Sequence, residues 1–203
     1  MEAHGHSTGE RLCLAFTNTA SARVDGTLKE QQLHSYEDLL AWGVREGALP
    51  ASSAAQLADL ARSSPQRARG MLHAAVELRE ALYRIFTAHA ESREPPADDL
   101  SLLNRVLAQT LLHLQLAVAP DGFTWEWNED ELDLGRMLWP VARSAADLLT
   151  SDDLARVREC AGERCNWLFI DRSKNHSRRW CDMQDCGNVA KVRRYRSRKQ
   201  ADA

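Results

Sequence analysis

No apolar run in this 203-residue chain is long enough to cross a membrane. The longest charge-free stretch, residues 106–120, still holds Gln109, Thr110, His113 and Gln115, whereas a helical span needs about 20 mainly apolar residues. The opening MEAHGHSTGE is polar and lacks the apolar centre of a secretory signal. Together these absences point to a cytoplasmic protein with no membrane partner, in a compartment where thiols stay reduced. The chain also has no P-loop, GxSxG, HExxH or dinucleotide glycine fingerprint, so nothing in it asks for nucleotide-dependent or hydrolytic chemistry and an enzyme is not expected. Internal repeats and low-complexity segments are missing as well, which excludes solenoids and arrays.

What is there is a chain of two electrostatic halves. The formal net charge of −3 hides a split: residues 1–155 carry 13 Lys/Arg against 23 Asp/Glu, and residues 156–199 carry 13 against 5. A hydrophobic content of 44% supports one ordinary core with a small appendage. The fold expected is mainly α: a helical N-terminal domain over 1–150 with one β-hairpin, then a small treble-clef or ribbon-like unit over 151–203, built on clustered cysteines, with a basic C-terminal helix. The seam falls in TSDD, residues 150–153.

Within the first half, Leu12, Cys13 and Phe16 have helical spacing, which places Cys13 in the core, while polar residues 20–33 read as a loop around Gly26. Ser35 and Asp38 stand at the spacing of a capping box, and Gly47 and Pro50 stop the helix they start. Ser64-Pro65 opens the longest helix, with Met71, Ala75, Leu78, Leu82 and Ile85 along one face. Alternation in Leu114, Leu116 and Val118, a PDG turn at 120–122, and alternation in Phe123, Trp125 and Trp127 predict the hairpin. Helix returns after it, restarting near Pro140.

Four of the five cysteines lie within 27 residues as Cys160-x4-Cys165-x15-Cys181-x4-Cys186. Two short loops of this kind present two thiolates each to the corners of a tetrahedron, which suits one structural Zn2+ with no position left open for water. Core cysteines or a disulfide are the alternatives. The segment has too few aliphatics for a dry core, and His176 is a substitute ligand only if a thiolate is missing.

The residues around these cysteines, RECAGERCNWLFIDRSKNHSRRWCDMQDCGNVAKVRRYRSRK, resemble the CGNR zinc finger, with Phe169, Asp171, Ser173, Arg178, Arg179, Trp180, Gly187, Asn188 and Lys191 in register. Val189 stands where that family has the Arg of its motif. Upstream, LAFTNT at 14–19, YEDLLAW at 36–42, LREALYRIF at 78–86, LNRVL at 103–107 and ARSAADLL at 142–149 resemble the ABATE domain. The resemblance implies a stress-linked bacterial transcription regulator with a zinc finger.

The tail gives that implication a physical form. Asn188 suits an N-cap, and residues 189–199 read as a helix with six Lys/Arg among its last nine positions. At 100° per residue Lys191, Arg194 and Arg198 form one stripe, and Arg178 and Arg179 join it from the preceding loop. Val189 and Val192 turn the other way, toward the finger's core, and Trp167, Trp180 and Tyr195 either join that core or stack on bases. Such a cluster suits duplex phosphates, with Arg193, Arg196 and Asn188 in reach of base edges. The competing class is a zinc-stapled protein-interaction module that docks an acidic partner, or the chain's own acidic N-terminal half, without touching DNA. For the helical domain the expectation is effector sensing or homodimerisation, with Asn18, Thr19 and Arg79 as candidate effector residues.

Overall fold

The computed structural model describes residues 11–24, 27–128 and 132–201, with backbone alone at 24, 27, 29, 194, 195, 198, 200 and 201. In chain order the elements are α1 (Leu12–Thr17), the hairpin β1 (Ala20–Val24) and β2 (Thr27–Gln31), α2 (Tyr36–Arg45), α3 (Ala51–Ser63), α4 (Pro65–Ala90), α5 (Ala97–Leu112), the hairpin β3 (Leu114–Ala119) and β4 (Gly122–Trp127), α6 (Leu138–Leu149), the hairpin β5 (Val157–Glu159) and β6 (Leu168–Ile170), and α7 (Cys186–Ala201). Each hairpin is a separate antiparallel pair. The protein is therefore mainly α with small hairpins and ends in a cysteine-rich unit with a C-terminal helix.

Local chemistry sets the limits of α2 and the start of α6. Ser35 Oγ accepts the Asp38 N–H at 3.0 Å and the Asp38 carboxylate accepts the Ser35 N–H at 2.9 Å, a complete capping box for α2. The His34 N–H adds a further bond to Asp38, and these donors hold its carboxyl below the ordinary range. At the other end Gly47 takes φ +70° and lets Ala48 donate back to the Gly43 carbonyl. Pro140 lies in the first turn of α6, where a missing N–H costs nothing, after a 3-10 turn at Leu134–Met137. A Cβ on Gly43 would collide with the Met137 sulfur, so its absence lets α2 lie against that turn.

α4 is the spine. Its Ala75, Leu78, Leu82 and Ile85 are buried among residues of α1, α2, α3 and α6. The same core takes in Val157, Leu168 and Ile170 from the last hairpin, so the cysteine-rich unit is seated on α1 and α4.

Residues 20–33, expected as a loop, form β1 and β2 instead. Among the described side chains of the two strands, the buried apolar ones are Ala20 and Ala22. Alanine carries too little apolar area to mark a strand against its polar neighbours. Ala22, with φ +52°, donates its N–H to the Cys165 carbonyl at 3.2 Å.

Candidate metal centre and basic face

The last hairpin delivers the first cysteine. β5 pairs with β6 through Val157↔Ile170, Arg158↔Phe169 and Glu159↔Leu168, and the Cys160 N–H donates to the Trp167 carbonyl at 2.8 Å. The chain then turns at Gly162, whose N–H points at the Cys160 sulfur, 3.4 Å away. A Cβ there would lie 3.2 Å from Cys165 Cβ and 3.3 Å from Cys186 Sγ. The second loop is tied to the first by the Ala161 N–H donating to Arg179 O at 2.8 Å and by the Cys181 N–H donating to Cys160 Sγ at 3.3 Å. Cys186 closes the set as the first residue of α7.

All four sulfurs lie within 4.8 Å of one another, with Cys165 and Cys181 3.5 Å apart and Cys181 and Cys186 3.8 Å apart. Zn–S bonds of about 2.3 Å set tetrahedral sulfurs about 3.8 Å apart. The four cysteines thus fit one structural zinc ion. Their mutual proximity splits the thiols. Cys160 collects S–H donors from Cys165 and Cys181 and is held far below the ordinary thiol range, while Cys165 and Cys181 are pushed above it by the same sharing. A dication stabilises all four as thiolates.

The loop between the two cysteine pairs is organised by Asp171. This buried carboxylate accepts the Ser173 N–H at 2.9 Å, the Ser173 hydroxyl at 2.6 Å and the Arg178 N–H at 3.0 Å, which holds it below the usual carboxylate range. Arg178 then folds inward. Its Nε donates to Trp180 O at 2.8 Å, its Nη2 donates to Cys181 O, and its guanidinium lies 4.9 Å over the Phe169 ring. Arg178 therefore braces a ligand cysteine rather than extending the outer cationic stripe. Its neighbour Arg179 is exposed and lies over Trp180 at 5.6 Å.

α7 begins at Cys186, three residues ahead of the expected 189, so Asn188 lies inside its first turn and is not an N-cap. The Asn188 amide donates to Gln184 O at 2.8 Å. Lys191, Arg193 and Arg196 are exposed, and Arg193 pairs with Glu163 beside the first cysteine loop. The side chains of Arg194, Tyr195 and Arg198 lie outside the described residues. Val189 and Val192, expected in the finger's core, are exposed as well. Past its first turn α7 has mostly exposed side chains among the described residues, and the ion pair of Arg193 with Glu163 ties its second turn to the first cysteine loop.

The polar residues of the first half meet in one buried layer. Asn18 exchanges hydrogen bonds with the backbone of Leu168, and Thr19 Oγ1 donates to Phe16 O at 2.8 Å. Arg79 is fully buried, with Nε donating to Glu80 at 2.8 Å, Nη1 3.4 Å from Thr19 Oγ1 and Nη2 3.5 Å from Gln31 Oε1. Arg23 completes the layer through Glu80 at 3.0 Å and the Thr17 and Ala20 carbonyls, with its guanidinium 3.9 Å over Tyr83. Nothing in the sequence singled out Arg23 or Glu80. These bonds bind the protein to itself. The depression beside Asn18, lined also by Ala15, Gln32, Trp42, Arg45 and Glu46, offers about 20 Å³, room for a water rather than an effector.

Among the described residues no helix is long and apolar enough to cross a membrane. A family model named ABATE and described as a putative stress-induced transcription regulator matches residues 10–152, and a CGNR zinc finger model matches residues 156–199. No curated protein matches the chain.

Proposed function

The chain belongs to the ABATE family and carries a CGNR zinc finger, and from that premise we propose that it regulates transcription by binding duplex DNA through the basic face of its finger. The observation that carries the reading is the attachment of α7. Its first residue, Cys186, is part of the zinc set, and past that anchor the helix leaves Lys191 and Arg196 exposed, with Arg193 exposed beside its partner Glu163. The cations are thus presented by a rigid metal-stapled base, as the +8 balance of residues 156–199 requires if it is to meet phosphate. Lys191, Arg179, Arg194 and Arg198 supply phosphate contacts in this reading. Arg193, Arg196 and Asn188 reach toward base edges. Val189 makes no bidentate contact to guanine, so sequence preference is loose at that position.

The exposure of Val189, Val192 and Met183 on and beside this helix favours a second reading, an acidic protein partner with an apolar stripe. One experiment separates the two. The zinc-loaded full chain is titrated into labelled genomic duplex fragments by gel shift at about 50 mM salt, where phosphate contacts are strong. Binding that disappears on chelation supports the DNA reading. The absence of any shift rejects it in favour of the protein partner.

A further inference from the structure

The hairpin β3–β4 has two unlike faces, and the wrong one is wet. Its register pairs Leu114 with Trp127, Leu116 with Trp125 and Val118 with Phe123. Directly opposed residues of an antiparallel pair share a face, so six apolar side chains line one side. Gln115 with Glu126 and Ala117 with Thr124 line the other. A face of this composition is ordinarily the buried one. Here Leu116, Val118, Phe123 and Trp125 are 62%, 85%, 76% and 56% exposed. Leu111 and Leu112 at the hairpin's root add side chains 50% and 76% exposed.

The hairpin is nevertheless held in place. Trp127 at its base packs against Trp139 of α6 at 5.9 Å, Trp139 stacks on His113 at 3.9 Å, and the Asn128 N–H closes the base on His113 O at 2.8 Å. Arg143 of α6 reaches over Trp125 at 5.2 Å. The apolar face is therefore presented in a fixed attitude.

We propose that this face is a homodimer interface, in which the hairpin packs face to face on the same hairpin of a second copy across a two-fold axis. Area is the first argument. At about 200 Å² for a large side chain fully in water, the four exposed residues of the face present roughly 560 Å², and Leu111 and Leu112 at its root bring the total to roughly 800 Å². That exceeds the apolar patch of an ordinary monomer, about 300–600 Å², and matches the about 800 Å² per partner of a standard interface. Charge is the second. The six paired residues of the face carry none, and the rest of residues 1–155 is strongly acidic. The cation that reaches the face, Arg143 over Trp125, already pairs with Asp147 at 3.0 Å, so a charged partner gains little there, and an anionic lipid surface is repelled by the acidic body behind the hairpin. A two-fold interface needs one patch complementary to itself, which an uncharged apolar sheet face provides. This inference stands whether or not the finger binds DNA.

The test is sedimentation of the zinc-loaded full chain, wild type beside Val118→Glu, Phe123→Glu and, on the opposite face, Thr124→Glu. The wild type and Thr124→Glu are expected as dimers. Val118→Glu and Phe123→Glu are expected to raise the dimer dissociation constant by roughly thirtyfold or more, the loss of a hot spot, with melting curves and zinc content unchanged because both side chains are exposed. A wild-type monomer at every concentration, dimers indifferent to both face substitutions, or a monomer that floats with neutral lipid vesicles each overturns the proposal.

Discussion

Asn18 and Leu168, 150 residues apart, exchange two hydrogen bonds: the Asn18 Nδ2 donates to the Leu168 carbonyl at 2.9 Å, and the Leu168 N–H donates to Asn18 Oδ1 at 2.8 Å. The carboxamide does for β6 what a third strand does elsewhere. Two more bonds run beside it, from the Ala22 N–H to Cys165 O and from the Arg23 N–H to Asn166 Oδ1 at 3.0 Å. The first helix and hairpin therefore hold the loop that carries a zinc ligand.

Asn18→Ala leaves a buried N–H and a buried carbonyl on Leu168 without partners. At about 1–3 kcal/mol for each unsatisfied buried group, the variant is expected to lose about 2–6 kcal/mol of stability. Urea denaturation of the zinc-loaded chain measures this directly. A loss below about 0.5 kcal/mol, the scale of a neutral surface change, contradicts the account.

Zinc removal is expected to reach the helical body. Val157, Leu168 and Ile170 share a core with Leu14, Leu78 and Leu82, and a metal that orders the finger contributes folding energy to whatever is packed on it. Chelation, or Cys181→Ser, should lower the melting temperature of the main helical transition followed at the far-UV helix band. An unchanged main transition shows instead that the finger and the body fold independently.

Gly162→Ala places a methyl 3.2–3.3 Å from Cys165 Cβ and Cys186 Sγ. One loop or one sulfur must give way, and the zinc dissociation constant is expected to rise by roughly tenfold, the lower end for a disturbed supporting shell. Competition against a chromophoric chelator reads it. Unaltered affinity means that the turn has slack the structure does not suggest.

Arg178 and Arg179 are expected to separate in function. Arg178→Ala removes the donor that braces the Cys181 carbonyl and should speed zinc loss. Arg179→Ala should leave zinc retention alone and weaken duplex binding. Equal effects of the two on zinc retention contradict the assignment.

Much of this arrangement can be read in the chain itself, and the exceptions have identifiable causes. The capping box of Ser35 and Asp38 is local, so its spacing is enough. The β3–β4 hairpin announces itself through alternating large side chains. The cysteine cluster is legible because zinc admits few ligand sets. β1 is hidden because its inward residues are Ala20 and Ala22. The bond from Asn18 to Leu168 depends on tertiary packing that no window of sequence contains. Arg178 and Arg179 are identical in type and adjacent, so only the carbonyl acceptors at Trp180 and Cys181 distinguish a brace from a surface cation. The outward placement of Val189 and Val192 follows from how far α7 extends past its anchor, which a helical wheel does not encode.

The salt dependence of duplex binding tests the central claim most directly. If about five phosphates are neutralised, the logarithm of the binding constant should fall against the logarithm of salt concentration with a slope of roughly −4 to −5. Arg194→Ala should weaken binding to all sequences alike and reduce that slope by about one. A slope near zero, or a slope that Arg194→Ala, Lys191→Ala and Arg198→Ala all leave untouched, contradicts binding through the basic face of the finger.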